Sequence, residues 1–236
     1  SFRMAENEGA VSLVNLEGWL KASTSANIAG RPSPTRARDV IAGMDIKIDA
    51  VSAGDECRVG IESTVLDMTG DVPTILRPGI ITAENIEAAI DKKVKYDESL
   101  FVRPEEGDLD PDIAAAEGPA MDGAANDFRP KAPGMKYKHY APKAQMTVIE
   151  GRRDKVKSEI ERLKRLNERL GLKVGVILFE EKAFIEAAHD FFSRLRDLDE
   201  EGVDLILAGA LSDRDGVGFA VMNRMLKSAG YNIARV

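Results

Sequence analysis

At 236 residues the chain exceeds the usual single domain of roughly 100 to 200 residues, which predicts two domains, and a hydrophobic fraction of 44% supplies a real core. A net charge of −7 excludes a surface that grips nucleic acid over its whole extent; a local basic patch stays possible, and a small-molecule partner is favoured. The lone Cys57 excludes an internal disulfide framework, two histidines cannot complete a Cys/His zinc site, and no signal peptide or membrane-length apolar run is read, so a soluble, cytoplasmic protein is expected.

In chain order, residues 8–20 read as a helix. The stretch TSANIAGRPSPT (24–35) then concentrates hydroxyl, amide, glycine and proline residues beyond what a turn needs. It leads into the helix TRARDVIAGM, and 48–51 read as a short strand. STVLDMTGDVPTILRPG predicts a β-hairpin: Val65, Asp67 and Thr69 alternate with Thr64, Leu66 and Met68, and Gly70-Asp71 turn the chain back into PTIL. Residues 82–91 form a helix with Thr82 as N-cap and Glu84 and Glu87 near its positive end.

From 97 to 132 the composition shifts to Asp, Glu, Gly, Pro and Ala, too poor in apolar surface to offset its ordering entropy, and reads as a linker ahead of APGMKYKHYAPKA (132–144). Strands and helices then alternate. QMTVIEG precedes a helix over 152–170 whose Val156, Ile160, Leu163, Leu166 and Leu170 recur at helical spacing before Gly171 stops it; KVGVILFE, a helix over 182–198, VDLILAGAL, a helix over 216–229 and YNIARV follow. Such alternation implies a small, mainly parallel sheet covered by helices, Rossmann-like in architecture.

Several stretches invite chemistry, each beside a plainer reading. Ser25, Asn27 and Ser33, stiffened by Gly30, Pro32 and Pro34, could meet a phosphate or carboxylate; equally, Ser33 or Thr35 could cap the next helix. Ser63 and Thr64 at one end of the hairpin and Arg77 at the other form either an anion clamp or an exposed Arg on a turn. Gly216 and Gly218 before a helix hint at a dinucleotide fingerprint, but Val221 stands where the third small residue belongs, so a loop capped by Asp213 or Asp215 is the better account. His189 reads as a packed or surface histidine, and RRDKVKSEIERLKR as a solvated face, since Glu159 and Glu161 interrupt its basic residues.

Taken in order, SANIAGRPSPT, GIESTVLDMTGDVPTILRPG, PGMKYKHYAPKA and AVMNRMLKSAG resemble the YrdC-type threonylcarbamoyl-AMP synthases, in the long form with an extra C-terminal domain. The resemblance implies an α/β chain throughout: the C-terminal half of a YrdC-like twisted α/β domain (1–96), a linker (97–143) with a lid segment at 133–142, and a small Rossmann-like parallel α/β domain (144–236). It implies condensation of L-threonine, bicarbonate and ATP into threonylcarbamoyl-adenylate and diphosphate, with Mg2+ on the phosphates, feeding the machinery that transfers threonylcarbamoyl to tRNA. By motif position it assigns Arg3, Ser23 and Ser63 to threonine or the carbamate, Ser25, Asn27, Ser33, Arg77 and Tyr140 to the nucleotide, and His139 and Lys136 to the lid, with no catalytic nucleophile.

Two departures from the family pattern stand out. Ser23-Thr24 replace the usual Ala-Pro, and Ser1 falls where the family's nucleotide-binding domain is already half built, so these residues alone are expected to be inactive or nearly so. The alternative is an RNA-binding or regulatory module derived from the same fold, against which the acidic balance weighs. An O-carbamoyltransferase of the hydrogenase-maturation type is disfavoured, because it lacks the KYKHYAP linker and the second domain.

Overall fold

The first sheet is organised by the hairpin. In the computed structural model, which describes residues 7–17, 25–28, 30–101, 140–212 and 216–236, β1 (Val65–Asp67) pairs antiparallel with β2 (Thr74–Arg77). β3 (Lys95–Tyr96) adds in parallel on the other side of β2. The register slips between Val65 and Leu66, which face Arg77 and Ile75. This bulge lets the consecutive Ile75 and Leu76 both be buried, and it re-aims Arg77 at the strand end.

Among the described residues, three α-helices and one turn of 3-10 helix (Glu98–Leu100) belong to this region. α1 covers Glu8–Glu17, α2 Ala37–Met44 and α3 Ala83–Ile90. Thr82 caps α3 as expected, its hydroxyl accepting from the Asn85 N–H while the Asn85 side chain accepts from the Thr82 N–H.

Two local expectations are corrected. Neither Ser33 nor Thr35 caps α2; Arg36 holds the N-cap position, and the Asp39 carboxylate one turn in accepts from the backbone N–H of Thr35 and Arg36 at 3.2 and 3.1 Å. An acid at the positive helix end satisfies these donors better than a neutral hydroxyl. Residues 48–51 form no strand, because no neighbouring strand among the described residues offers them a ladder; the preceding Ile46 has φ 60° and is 97% exposed.

The second sheet is all parallel. β4 (Gln145–Glu150), β5 (Val174–Ile177), β6 (Leu205–Gly209) and β7 (Ile233–Arg235) lie in the order β5-β6-β4-β7. Strand alternation divides the core. Ile149 and Leu207 face Val156 and Ile160 of α4 (Arg153–Arg169), while Val148, Ile206 and Ala208 face α5 (Phe184–Glu201) and α6 (Val217–Ser228). The helix-covered parallel sheet agrees with the expectation from the sequence.

α5 and α6 present a second face to the first region. Ile61 and Tyr140 belong to the same buried cluster as Phe191, Phe192 and Val221, with Val59 and Ile80 packed on its border. Gly60 makes the approach possible: its N–H donates to the Ala188 carbonyl at 3.0 Å, and a Cβ there would fall 1.9 Å from the His189 carbonyl oxygen. Among the described residues no helix is long and apolar enough to cross a membrane.

Candidate functional site

The loop of residues 25–35 forms one wall of the site. Gly30, at φ 77°, turns it back, Asn27 Nδ2 donates to the Ile28 carbonyl, and the Ala141 N–H donates to the Gly30 carbonyl at 2.9 Å. The loop is thereby stitched to the residue following Tyr140. Farther on, the Ser33 hydroxyl donates to Glu62 Oε1 at 2.5 Å.

Glu62 sits at the centre of the charge pattern. Burial alone would raise its carboxyl, but the Arg224 charge and the Ser33 hydrogen bond outweigh burial and hold it below the ordinary carboxylate range. Its second oxygen accepts from Arg224 Nε at 3.2 Å. Arg224, with no exposed side-chain surface, also donates to the carbonyls of Glu62 and Pro78, so one guanidinium ties together the two ends of the hairpin. Burial lowers its basicity, yet a guanidinium stays charged in proteins.

At the same hairpin ends, Arg77 Nε donates to the Ser63 carbonyl at 3.1 Å and its side chain hydrogen-bonds Tyr140. Tyr140 is buried, stacks at a tilt on Phe192 with ring centroids 5.0 Å apart, and adopts φ 67°. Burial, reinforced by the Glu62 charge, pushes its phenol up to about 12. Lys227, one turn beyond Arg224 on α6, is pushed down to about 8 by burial and by the charges of Arg224 and Arg77. Glu62 is thus answered by Arg77, Arg224 and Lys227, leaving a surplus of positive charge.

Of the residues singled out from sequence, the structure gathers Ser33, Ser63, Arg77 and Tyr140 around Glu62, Arg77 and Ser63 meeting through a main-chain carbonyl. Ser25 and Asn27 lie on the loop that leads into this group. Thr64, expected to form a hydroxyl pair with Ser63, donates instead to the Ile81 carbonyl at 2.6 Å. Arg3, Ser23, Lys136 and His139 lie outside the described residues, as do Asp213 and Asp215.

Glu62, Arg224 and Lys227 were not singled out. The signal for the last two was present: Arg224 sits between Val221 and Met225, and Lys227 follows one turn after Arg224, charges in an otherwise largely apolar helix, which asks for a buried partner. His189 meets its neighbour Asp190, and Arg162 and Arg165 on α4 pair with Glu159 and Glu161, as the plainer readings had it.

A three-stranded sheet docked on a small, helix-covered parallel sheet, with Glu62, Arg77, Arg224 and Lys227 gathered at the joint, makes this an α/β protein of two sheets with a charged seam between them. Residues 81–230 match the family described as "Threonylcarbamoyl-AMP synthase, C-terminal domain", and residues 1–79 the family described as "Telomere recombination"; the chain belongs to the threonylcarbamoyl-AMP synthase family. It is 39% identical to a threonylcarbamoyl-AMP synthase of Pyrococcus abyssi over 99% of its own length and 65% of the relative's. With the Bacillus subtilis enzyme the identity is 34%, over 100% and 64%. The chain thus spans about two thirds, 65% and 64%, of these relatives. The solved structure of P. abyssi Sua5 complexed with L-threonine superposes with a TM-score of 0.79 at 38% identity, over 99% of this chain and 65% of that one.

Proposed function

We propose that the chain serves the synthesis of threonylcarbamoyl-AMP from L-threonine, bicarbonate and ATP, the product passing to the machinery that modifies tRNA. The observation that carries this is the gathering of Ser33, Ser63, Arg77 and Tyr140 around a buried, net-positive cluster in a chain of this family. In the reaction, the amine of threonine bonds to the carbon of bicarbonate and water leaves, giving the carbamate. A carbamate oxygen attacks the α-phosphate of ATP, the bond to the bridging oxygen breaks, and diphosphate leaves. Nothing in this sequence of steps needs a protein nucleophile; rate comes from positioning and charge neutralisation.

Each side chain then has a role. Arg77 neutralises charge on the phosphates, Ser25, Asn27 and Tyr140 bind the nucleotide, and Lys136 and His139 serve as lid residues. Arg3, Ser23 and Ser63 serve threonine or the carbamate. Ser33 is constrained further: a carboxylate only accepts, so the Ser33 proton points to Glu62 and the hydroxyl offers a ligand only its lone pairs. It therefore matches a donor on the nucleotide, a ribose hydroxyl or the adenine amine, better than a phosphate oxygen. Magnesium would be brought by the triphosphate as MgATP and would neutralise charge on the phosphates.

Calorimetry with MgATP and an assay of diphosphate release test this reading together. Arg77→Ala is expected to weaken ATP binding by about tenfold, the scale of one charge-assisted contact. Any release should require both threonine and bicarbonate. Affinity indifferent to Arg77, or release indifferent to threonine, overturns the proposal.

A further inference from the structure

Ser33 is gripped from two sides by helices of the parallel-sheet domain. Its hydroxyl donates to Glu62 at 2.5 Å, and Glu62 accepts in turn from Arg224 of α6 at 3.2 Å. On the other side Arg196 of α5 donates to the carbonyl oxygens of Pro32 and Ser33. Arg224 is held in place by further hydrogen bonds to the Glu62 and Pro78 carbonyls that bracket the hairpin and to the Ala220 carbonyl of its own helix.

A buried ion pair is a weak source of net stability, since apolar residues of equal volume often serve as well or better. Orientation is what the pair supplies and a methyl group does not. With Arg224 holding it ionised, Glu62 acts as an acceptor that admits one direction for the Ser33 proton. We propose that Glu62 and Arg224 are positioning residues for the nucleotide: through them α6 sets the aim of the Ser33 hydroxyl, and with it the affinity for ATP. This rests on Ser33 being a nucleotide contact.

The test uses Ser33→Ala, Glu62→Gln, Arg224→Lys and the double variant Ser33→Ala/Arg224→Lys in the full chain. ATP affinity is measured by calorimetry, which separates affinity from the fraction of competent protein that a purely structural lesion would lower. Urea unfolding is followed without nucleotide. Each single variant should weaken ATP binding about two- to tenfold, the range of one hydrogen bond. The double variant should weaken it by clearly less than the product of its parents, because part of the Arg224 effect runs through the hydroxyl already removed.

Multiplying effects, or a folded Arg224→Lys chain with wild-type affinity, overturn the proposal. Should Arg224→Lys not fold, Glu62→Gln/Arg224→Met removes both charges at once and carries the same expectation. A wild-type chain that binds no ATP overturns the functional reading instead. The link from Arg224 to Ser33 is then decided by unfolding: non-additive shifts of the urea midpoint support it, and strict additivity sinks it.

Discussion

Lys227 holds a charge where α6 packs against the hairpin ends, and its pKa of about 8 against an ordinary 10.5 makes it a source of pH-dependent stability. Between those values the unfolded chain holds more protons than the folded one, so stability rises with pH from about 8 toward 10.5. Tyr140 acts oppositely: its folded value of about 12 exceeds the ordinary 10, so the folded chain keeps the proton longer and stability falls from 10 toward 12. Urea midpoints measured across this range should climb and then drop. Lys227→Met is expected to flatten the climb and Tyr140→Phe the drop; unchanged profiles would contradict the burial argument. A second residue-scale effect is steric. Gly60→Ala drives a methyl into the His189 carbonyl in mid-helix, which cannot move aside, and should cost about 3 kcal/mol in urea unfolding.

At the scale of elements, α4 shows how far a periodic pattern reaches. Val156 and Ile160 are buried and Leu163 packs beside them, but Leu166 and Leu170 are 47% and 72% exposed. Seventeen residues rise about 25 Å, whereas a six-residue strand spans about 20 Å, so the last turn runs past the sheet edge. Ile160→Ala should therefore destabilise by about 3 kcal/mol and Leu170→Ala by well under 1 kcal/mol, measured as changes in urea midpoint. In α3 the reciprocal bonds of Thr82 and Asn85 predict a loss of about 1 kcal/mol for Thr82→Ala.

For the whole molecule, the joint between the two sheets is where folding and chemistry meet. α5 carries Phe192 against Tyr140, Asp197 against Arg36 and Arg38 at 2.7 and 2.8 Å, and Arg196 against the Ser33 loop. Phe192→Ala should cost about 4 kcal/mol and also speed proteolysis within residues 25–35, though the substitution lies in the other domain. Loss of stability with the loop cleaved at its original rate would show that the halves are energetically independent.

The order of elements, the parallel sheet, the Thr82 cap and the hairpin were legible in the sequence because each rests on local rules: apolar period, glycine turns and a short capping side chain. The meeting of Ser63 and Arg77 followed from the hairpin, whereas joining Ser33 and Tyr140 to them was reached only through resemblance to a family. Glu62, Arg224 and Lys227 escaped, although two of them interrupt a largely apolar helix, because the meaning of a buried charge depends on a partner far along the chain. The start of α2 was misread for a related reason: Asp39, bonded from Arg36, which is held in turn by Asp197 of α5, displaced the hydroxyl cap that local propensity favours. Sequence alone determined most of the helices and strands, residues 48–51 excepted, where a strand needs a neighbour that the described residues do not supply. The tertiary structure decided which charges face one another across the joint, since that depends on how α5 and α6 dock, a packing of many weak contacts that no short stretch encodes.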